Sequence, residues 1–163
     1  MNGTRAVFAG SFDPPTLGHL DIIRRSSALY EKLFIVIAVN PDKTCLLTPQ
    51  ERQSLLCIMT EDIENAEVCI WNGYSVDFAQ EHGADVMIRG VRNINDFKYE
   101  YDMACTNRIL NPFIQTVFFP SLPEFANTSS SLVKEKAAKG EDISKLVPEC
   151  VRLILTEKFK VLT

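Results

Sequence analysis

With 163 residues, 46% of them hydrophobic, and a formal net charge of −4, the chain has the size of one domain, read as residues 1–163, and enough apolar content to bury a core. The negative balance gives no global attraction for nucleic acid or anionic lipid, so an anion site must come from local clustering of Arg, Lys and His. Five cysteines, an odd number without a C-x-x-C pair, argue against a zinc site or disulfide framework and for free thiols in a reducing compartment. The N-terminus lacks the basic-then-apolar layout of a signal peptide, and no apolar run approaches the roughly 20 residues that span a bilayer. The expectation is a soluble cytoplasmic protein with no nucleic-acid or membrane partner.

Taken in chain order, Arg5–Ala9 is a short apolar run that reads as a buried strand, closed by Gly10 and the turn cluster Asp13-Pro14-Pro15. A helix is predicted from about His19 to Leu29. Leu33–Val39 is unbroken and β-branched, as a strand buried on both faces should be. It runs into the polar loop Asn40-Pro41-Asp42-Lys43. Thr48-Pro49-Gln50-Glu51 is a helix start, with Thr48 capping, Pro49 at the first position and Glu51 completing a capping box; Leu55, Leu56 and Met59 then form an apolar stripe. Ala66–Ile70 is a third strand, and Ser75–His82 a short helix closed by Gly83. Val86–Ile88 is a fourth strand leading into Arg89-Gly90-Val91-Arg92. A long helix from about Asn95 to Leu110, with Phe97, Tyr101 and Ala104 at helical spacing, stops at Asn111-Pro112. Thr116–Phe119 is a fifth strand. Ser129-Ser130-Ser131 opens a helix to Lys139, and Pro148–Phe159 is the last.

Strands and helices alternate, which implies a five-stranded parallel sheet with helices on both faces. In such folds ligands meet loops at the carboxyl ends of the strands, and the candidate residues fall there: Gly10–His19, Lys43, Arg89–Arg92 and Phe125–Ser131. G-S-F-D-P-P-T-L-G-H is neither a P-loop nor a G-x-G-x-x-G fingerprint, yet it can hold a nucleotide. Gly10 admits close backbone approach, Ser11 and Thr16 supply hydroxyls, and His19 at a helix start can donate to a phosphoryl oxygen. Lys43 is a point cation suited to a phosphate. Arg89 and Arg92 flank a glycine at a strand end. Ser129, Ser130 and Ser131 can present hydroxyls and free N–H groups to phosphates, although a plain helix cap is the ordinary use of such serines.

The first loop resembles the (T/H)-x-G-H signature of the nucleotidyltransferase superfamily. I-R-G-V-R-N-I-N-D-F-K-Y-E (Ile88–Glu100), T-S-S-S-L-V-K-E (Thr128–Glu135) and N-P-D-K (Asn40–Lys43) resemble three segments of the bacterial phosphopantetheine adenylyltransferases, and the resemblance covers nearly the whole chain in order. It implies a Rossmann-like nucleotidyltransferase fold and a reaction in which ATP and 4′-phosphopantetheine give dephospho-coenzyme A and pyrophosphate. An oxygen of the acceptor phosphate would attack the α-phosphorus in line. That phosphate is already an anion near neutral pH, with a second pKa of about 6, so positioning and charge stabilisation should carry catalysis.

The resemblance puts His19 on the α-phosphate, where an imidazolium should serve better than the neutral ring. It puts Lys43 on the attacking or α-phosphate, Arg92 with Gly90 and Val91 on ATP, and Arg89 on the pantetheine side. Glu100 lies near the nucleotide, holding a hydroxyl, an arginine or a metal-bound water. Ser11 and the backbone of Phe12 touch both ligands; Tyr74 and Ser75 align with the pantetheine-arm segment; Phe125, Ala126, Asn127 and Thr128 precede the serines in the ATP loop. Mg²⁺ is expected by analogy, held mostly by phosphates and water because no carboxylate pair marks a metal site. A homohexamer and feedback binding of coenzyme A are implied in the same way.

Two departures stand out: Ser11 replaces a Thr of the family's first loop, keeping the hydroxyl, and Phe125-Ala126-Asn127-Thr128 replaces an aromatic-Ser-Phe-[IV] run. The other readings are a nucleotidyltransferase acting on nicotinamide mononucleotide or a cytidylyl substrate, and a non-catalytic nucleotide-binding protein. The first shares only the first motif; against the second stand His19, Lys43 and both arginines.

Overall fold

The computed structural model describes residues 4–161; residues 1–3, where the stretch read for a signal peptide begins, and residues 162–163 lie outside the description. Five parallel strands, β1 (Arg5–Gly10), β2 (Lys32–Val39), β3 (Ala66–Asn72), β4 (Val86–Val91) and β5 (Gln115–Pro120), form one sheet in the order β3-β2-β1-β4-β5. The helices between them are α1 (Leu17–Ser27), α2 (Pro49–Met59), α3 (Ser75–Glu81) and α4 (Ile94–Leu110), with α5 (Ser130–Ala138) and α6 (Glu149–Val161) after the sheet. The chain moves outward from β1 in one direction through β2 and β3, then returns to the other side for β4 and β5.

Side-chain alternation divides the core into two layers. Ala6, Phe8, Leu33, Ile35, Ile37, Val86 and Ile88 face Ile22 and Ile23 of α1, Leu55 and Leu56 of α2, Val133 of α5 and Leu155 of α6. Val7, Ala9, Phe34, Val36 and Met87 face Phe78 and Ala79 of α3. Helix α4 lies on this second face, where the Phe97 and Phe118 rings meet edge to face at 5.1 Å. The expected stripe of α4 does not bury: Phe97 and Tyr101 are exposed, as are Ile94, Tyr99, Ile109 and Leu110, and Asn107 is the helix's one buried residue.

Two predicted ends move. Arg89, Gly90 and Val91 belong to β4 rather than to a loop, because Arg89↔Phe118 to Val91↔Pro120 continue the ladder with β5. Pairing can hold residues of poor strand propensity in a strand. Helix α1 starts at Leu17, two residues before His19, because Thr16 caps it. A 3₁₀ turn at Pro123–Phe125 was not anticipated.

At Gly90 the side chain of Ile22 from α1 packs directly on the strand backbone. A Cβ there would lie 2.3 Å from Ile22 Cδ1. Gly90→Ala should therefore destabilise the fold by about 1–3 kcal/mol in urea unfolding through overpacking. Ile22→Val, which removes the clashing methyl, should recover most of that loss in the double variant; strictly additive effects would show that the contact is not the cause.

Candidate active site

The ladder between β1 and β4 stops early. Ala6–Phe8 pair with Val86–Ile88, whereas β1 continues against β2 as far as Gly10↔Ile37. Beyond Phe8 the two central strands part, and a cleft of about 330 Å³ opens between them. Gly10, Phe12, Thr16, Gly18 and His19 form one wall, Arg89, Gly90, Arg92, Asp96 and Glu100 another, and Phe125 with Thr128–Ser131 a third. This is the switch point where parallel α/β sheets bind ligands.

His19 is oriented by its own helix start. The Thr16 hydroxyl accepts the His19 backbone N–H at 3.3 Å, and His19 Nδ1 accepts the Thr16 backbone N–H at 3.0 Å. A backbone N–H can only donate, so Nδ1 carries a lone pair and the proton of the neutral ring resides on Nε2. Burial, followed by the Arg92 charge, lowers the pKa of His19 to about 4. The imidazolium expected from sequence is therefore replaced, in the free protein, by a neutral Nε2–H donor.

The loop after β1 is held from below. Phe12 has φ +50°, a left-handed conformation that costs a non-glycine residue about 1 kcal/mol. Its buried ring meets Phe8 and His19 edge to face, with centroids 5.5 and 5.0 Å away. Arg52 of α2, itself buried, donates Nη1–H to the Ser11 carbonyl at 2.7 Å. In the planar trans peptide this turns the Phe12 N–H away from Arg52. Asp13 accepts the Leu46 and Leu47 N–H groups and the Lys134 ammonium. Burial alone would raise the Asp13 pKa, but these three donors outweigh it and hold the carboxyl below its usual range.

The cationic wall is restrained by carboxylates. Arg92 donates Nε–H and Nη2–H to Asp96 Oδ2 and Oδ1 at 3.1 and 2.9 Å, and Nη1–H to the Thr128 carbonyl at 3.4 Å. Arg89 reaches the Ala9 carbonyl with Nη1–H at 3.4 Å and lies 3.5 Å from Glu100 Oε2. Arg89 Nε and Glu100 Oε2 are both buried without a hydrogen bond. Desolvation keeps the Glu100 pKa above the ordinary carboxylate value. At the third wall, Ser129 Oγ caps α5 by accepting the Leu132 N–H at 3.1 Å, and Ser130 donates to the Pro14 carbonyl at 2.8 Å. The Ser131 side chain and the Ser130 and Ser131 N–H groups remain for an anion.

His19, Arg89, Gly90, Arg92, Glu100, Phe12, Phe125 and Thr128–Ser131 thus share one cleft. Ser11, Val91, Ala126 and Asn127 adjoin lining residues in sequence without forming the wall. Lys43 is exposed on the loop after β2. Tyr74, 70% exposed, and Ser75 begin α3 beyond β3, at the same sheet edge but two strands from β1. His82 was given no role; it stacks on Phe78 at 3.8 Å, half-buried at the end of α3. Sequence reading passed over Asp13, Arg52, Asp96 and Lys134. The i,i+4 spacing of Arg92 and Asp96 was a usable signal; the other three act across long sequence separations.

A parallel sheet with T-L-G-H at the first helix start and two arginines across the switch point defines a nucleotidyltransferase. The family model described as cytidylyltransferase-like matches residues 7–136. Curated relatives named phosphopantetheine adenylyltransferase include those of Caldanaerobacter subterraneus subsp. tengcongensis, 44% identical over 95% of this chain and 97% of that one, and of Lachnoclostridium phytofermentans, 46% identical over 94% of each. That of Treponema pallidum is 42% identical over 95% of this chain and 98% of its own. Among solved structures, a protein of Vibrio parahaemolyticus assigned as a nicotinate-nucleotide adenylyltransferase superposes with a TM-score of 0.72 at 18% identity, over 98% of this chain and 96% of that one, a likeness of fold. The chain belongs to the phosphopantetheine adenylyltransferase family.

The His19 geometry has a pH consequence. Its folded pKa lies below the unfolded value, so between the two the unfolded chain binds more protons and stability falls as the pH drops from about 6.5 toward 4. Urea unfolding of the wild type and His19→Gln should show the wild type losing about 2 kcal/mol relative to the variant between about pH 7 and pH 5. A constant difference would show that the ring is not held neutral.

Proposed function

We infer that the chain transfers the adenylyl group of ATP to 4′-phosphopantetheine, releasing pyrophosphate and giving dephospho-coenzyme A, a step of coenzyme A synthesis. One observation carries this reading: a chain that matches phosphopantetheine adenylyltransferases over nearly its whole length brings the T-L-G-H, R-G-V-R and S-S-S segments to a single cleft.

The chemistry needs little beyond placement. The acceptor phosphate is a competent nucleophile near neutral pH, and the barrier lies in bringing two anions together and stabilising charge on the α-phosphoryl oxygens. We assign His19 to the α-phosphate as a neutral donor through Nε2–H. Being neutral, it contributes a directed hydrogen bond rather than net charge. Arg92 keeps its orientation through the Asp96 fork and turns Nη1 toward the ATP loop at Thr128. The N-terminus of α5 receives the β- and γ-phosphates through the Ser131 side chain and the Ser130 and Ser131 N–H groups, with Phe125 beside it for the nucleoside. Arg89 takes the acceptor phosphate, which supplies the partner its Nε lacks. Lys43 and the Tyr74–Ser75 turn, which follow β2 and β3, are assigned to the pantetheine arm, which would extend from the cleft toward that side of the sheet.

Among the described residues no cluster of three or more His, Cys, Asp or Glu could hold a metal alone. Asp13 and Asp96 are committed to Lys134 and Arg92, which leaves Glu100 Oε2 as the unpartnered carboxylate oxygen, suited to a metal-bound water. This fits Mg²⁺ held by phosphates and water, whose charge would offset that on the leaving pyrophosphate. We further propose a homohexamer, for which the exposed Ile94, Tyr99, Ile109 and Leu110 of α4 offer apolar surface, and feedback binding of coenzyme A, which carries the chemistry of both substrates. A cytoplasmic location is proposed with the pathway; among the described residues no helix is long and apolar enough to cross a membrane, and all five cysteines are unpaired.

Pyrophosphate release from ATP should require 4′-phosphopantetheine and should not occur with nicotinamide mononucleotide; release with the latter alone would overturn the acceptor assignment, and ATP binding without turnover would leave only a binding module. His19→Ala should reduce turnover by roughly 10²-fold or more while losing only about 1 kcal/mol of stability, the scale of one helix cap. Arg89→Ala should raise the KM for 4′-phosphopantetheine more than that for ATP, and the reverse order would exchange the two arginine roles.

A further inference from the structure

Asp13 is the most deeply buried carboxylate beside the cleft, its side chain 5% exposed, yet it faces away from the space the substrates would fill. Its oxygens gather donors from two distant segments. Oδ1 accepts the Leu47 N–H at 2.8 Å; Oδ2 accepts the Leu46 N–H at 2.9 Å and the Lys134 ammonium at 2.9 Å. Leu46 and Leu47 close the loop that carries Lys43. Lys134 stands about one turn into α5, just after Ser129–Ser131. Ser130 adds a second tie between α5 and the first loop through the Pro14 carbonyl. Although it follows the serines in the same motif, Lys134 is not part of the cleft wall.

We propose that Lys134 and Asp13 are positioning residues for adenylyl transfer, a strut that fixes the phosphate-facing start of α5 and the Lys43 loop to the same first loop and so holds the nucleotide and acceptor subsites at one separation. The proposal rests on the assignment of the serines to ATP and of Lys43 to the acceptor. In-line attack is steep in distance, and a misplacement of about 1 Å costs on the order of 10²-fold. A lysine acting on ATP phosphates would affect ATP alone; a strut affects both substrates, including one whose binding groups Lys134 does not touch.

The test is initial-rate kinetics of pyrophosphate release, with each substrate varied in turn, for the wild type, Lys134→Met, Lys134→Arg, Asp13→Asn and the Asp13→Asn/Lys134→Met double variant, with circular dichroism and thermal melts alongside. Lys134→Met should lower kcat by about 10-fold to 100-fold and raise the KM of both substrates. Lys134→Arg should retain most activity, and Asp13→Asn should cost less in the Lys134→Met background than in the wild type, since the ammonium–carboxylate contact can be lost only once while the Leu46 and Leu47 bonds are weakened in both backgrounds. Should Lys134→Met fail to fold because Asp13 is left without its counter-charge, the double variant, which buries no carboxylate, carries the comparison. A rise in the ATP KM alone, multiplying effects in the double variant, or wild-type kinetics in Lys134→Met would each overturn the strut. If the wild type proves active only with another acceptor, the function assigned above fails, and the same variant ratios measured on that acceptor still decide the strut.

Discussion

Strand β1 is hydrogen-bonded on both sides, but unequally. Its ladder with β2 runs the full length from Arg5 to Gly10, and its ladder with β4 ends at Phe8. The buried layers leave the central strands no freedom elsewhere: Ala6 and Val7 are fully enclosed, and so are Met87 and Ile88 of β4. Among the described residues β1 and β4 part at their carboxyl end, and that is where the cleft opens. Everything with chemical potential hangs from that divergence. The first loop leaves β1 there, Arg89 and Gly90 extend past the last β1 pair while still paired with β5, and the α1 start turns back across the gap.

A protein with a net negative charge has to make a site for polyanions without paying for unpaired buried cations. The structure does so by giving each cationic group a different form of compensation. Arg92 is neutralised locally by the Asp96 fork and keeps one free direction of donation. Arg52 is buried with Nε–H on the Thr48 carbonyl and Nη1–H on the Ser11 carbonyl, neutral acceptors that take up two of its donors without cancelling its charge. His19 avoids the problem by staying neutral. Arg89 is the incomplete case: it lies 3.5 Å from Glu100 with an orphan on each side. An unsatisfied buried donor or acceptor costs about 1–3 kcal/mol, and a phosphate bound at Arg89, as proposed above, would relieve the donor side of that mismatch.

The regular elements were legible because local and global preferences agree. Leu33–Val39 is apolar on both faces and is sandwiched between two layers; Thr48 and Glu51 cap α2 with the predicted reciprocal bonds. The cleft residues carried by motifs were legible too, since the signature residues lie at strand ends. What stayed hidden was whatever depends on pairing across the chain. Arg89-Gly90-Val91 read as a loop until β5 supplied a ladder. The neutral state of His19 depends on enclosure and on Arg92, neither visible in T-L-G-H. The bond between Asp13 and Lys134 spans 121 positions, and Arg52 reaches Ser11 across 41. Helix α4 misled in another way, because its apolar residues are real but are turned outward from this fold.

The two halves of the site differ in how far they are organised before ligand arrives. On the side proposed for the nucleotide, Phe12 is held in a left-handed conformation by its buried ring and the pinned Ser11 carbonyl, His19 by its own helix cap, Arg92 by a fork, and the α5 start by Ser129 and Ser130. On the side proposed for the acceptor, Lys43 and Tyr74 are exposed and Arg89 Nε is without a hydrogen bond. Rigid placement matters most where charge develops, and the proposed role of His19 puts the α-phosphorus on the organised side. The acceptor arm is long and flexible, and its phosphate need only be delivered in line, so on the proposed role of Arg89 the looser half would admit it and supply the partner that Arg89 Nε lacks. Such an asymmetry suits a transfer in which one substrate is activated in place and the other is brought to it.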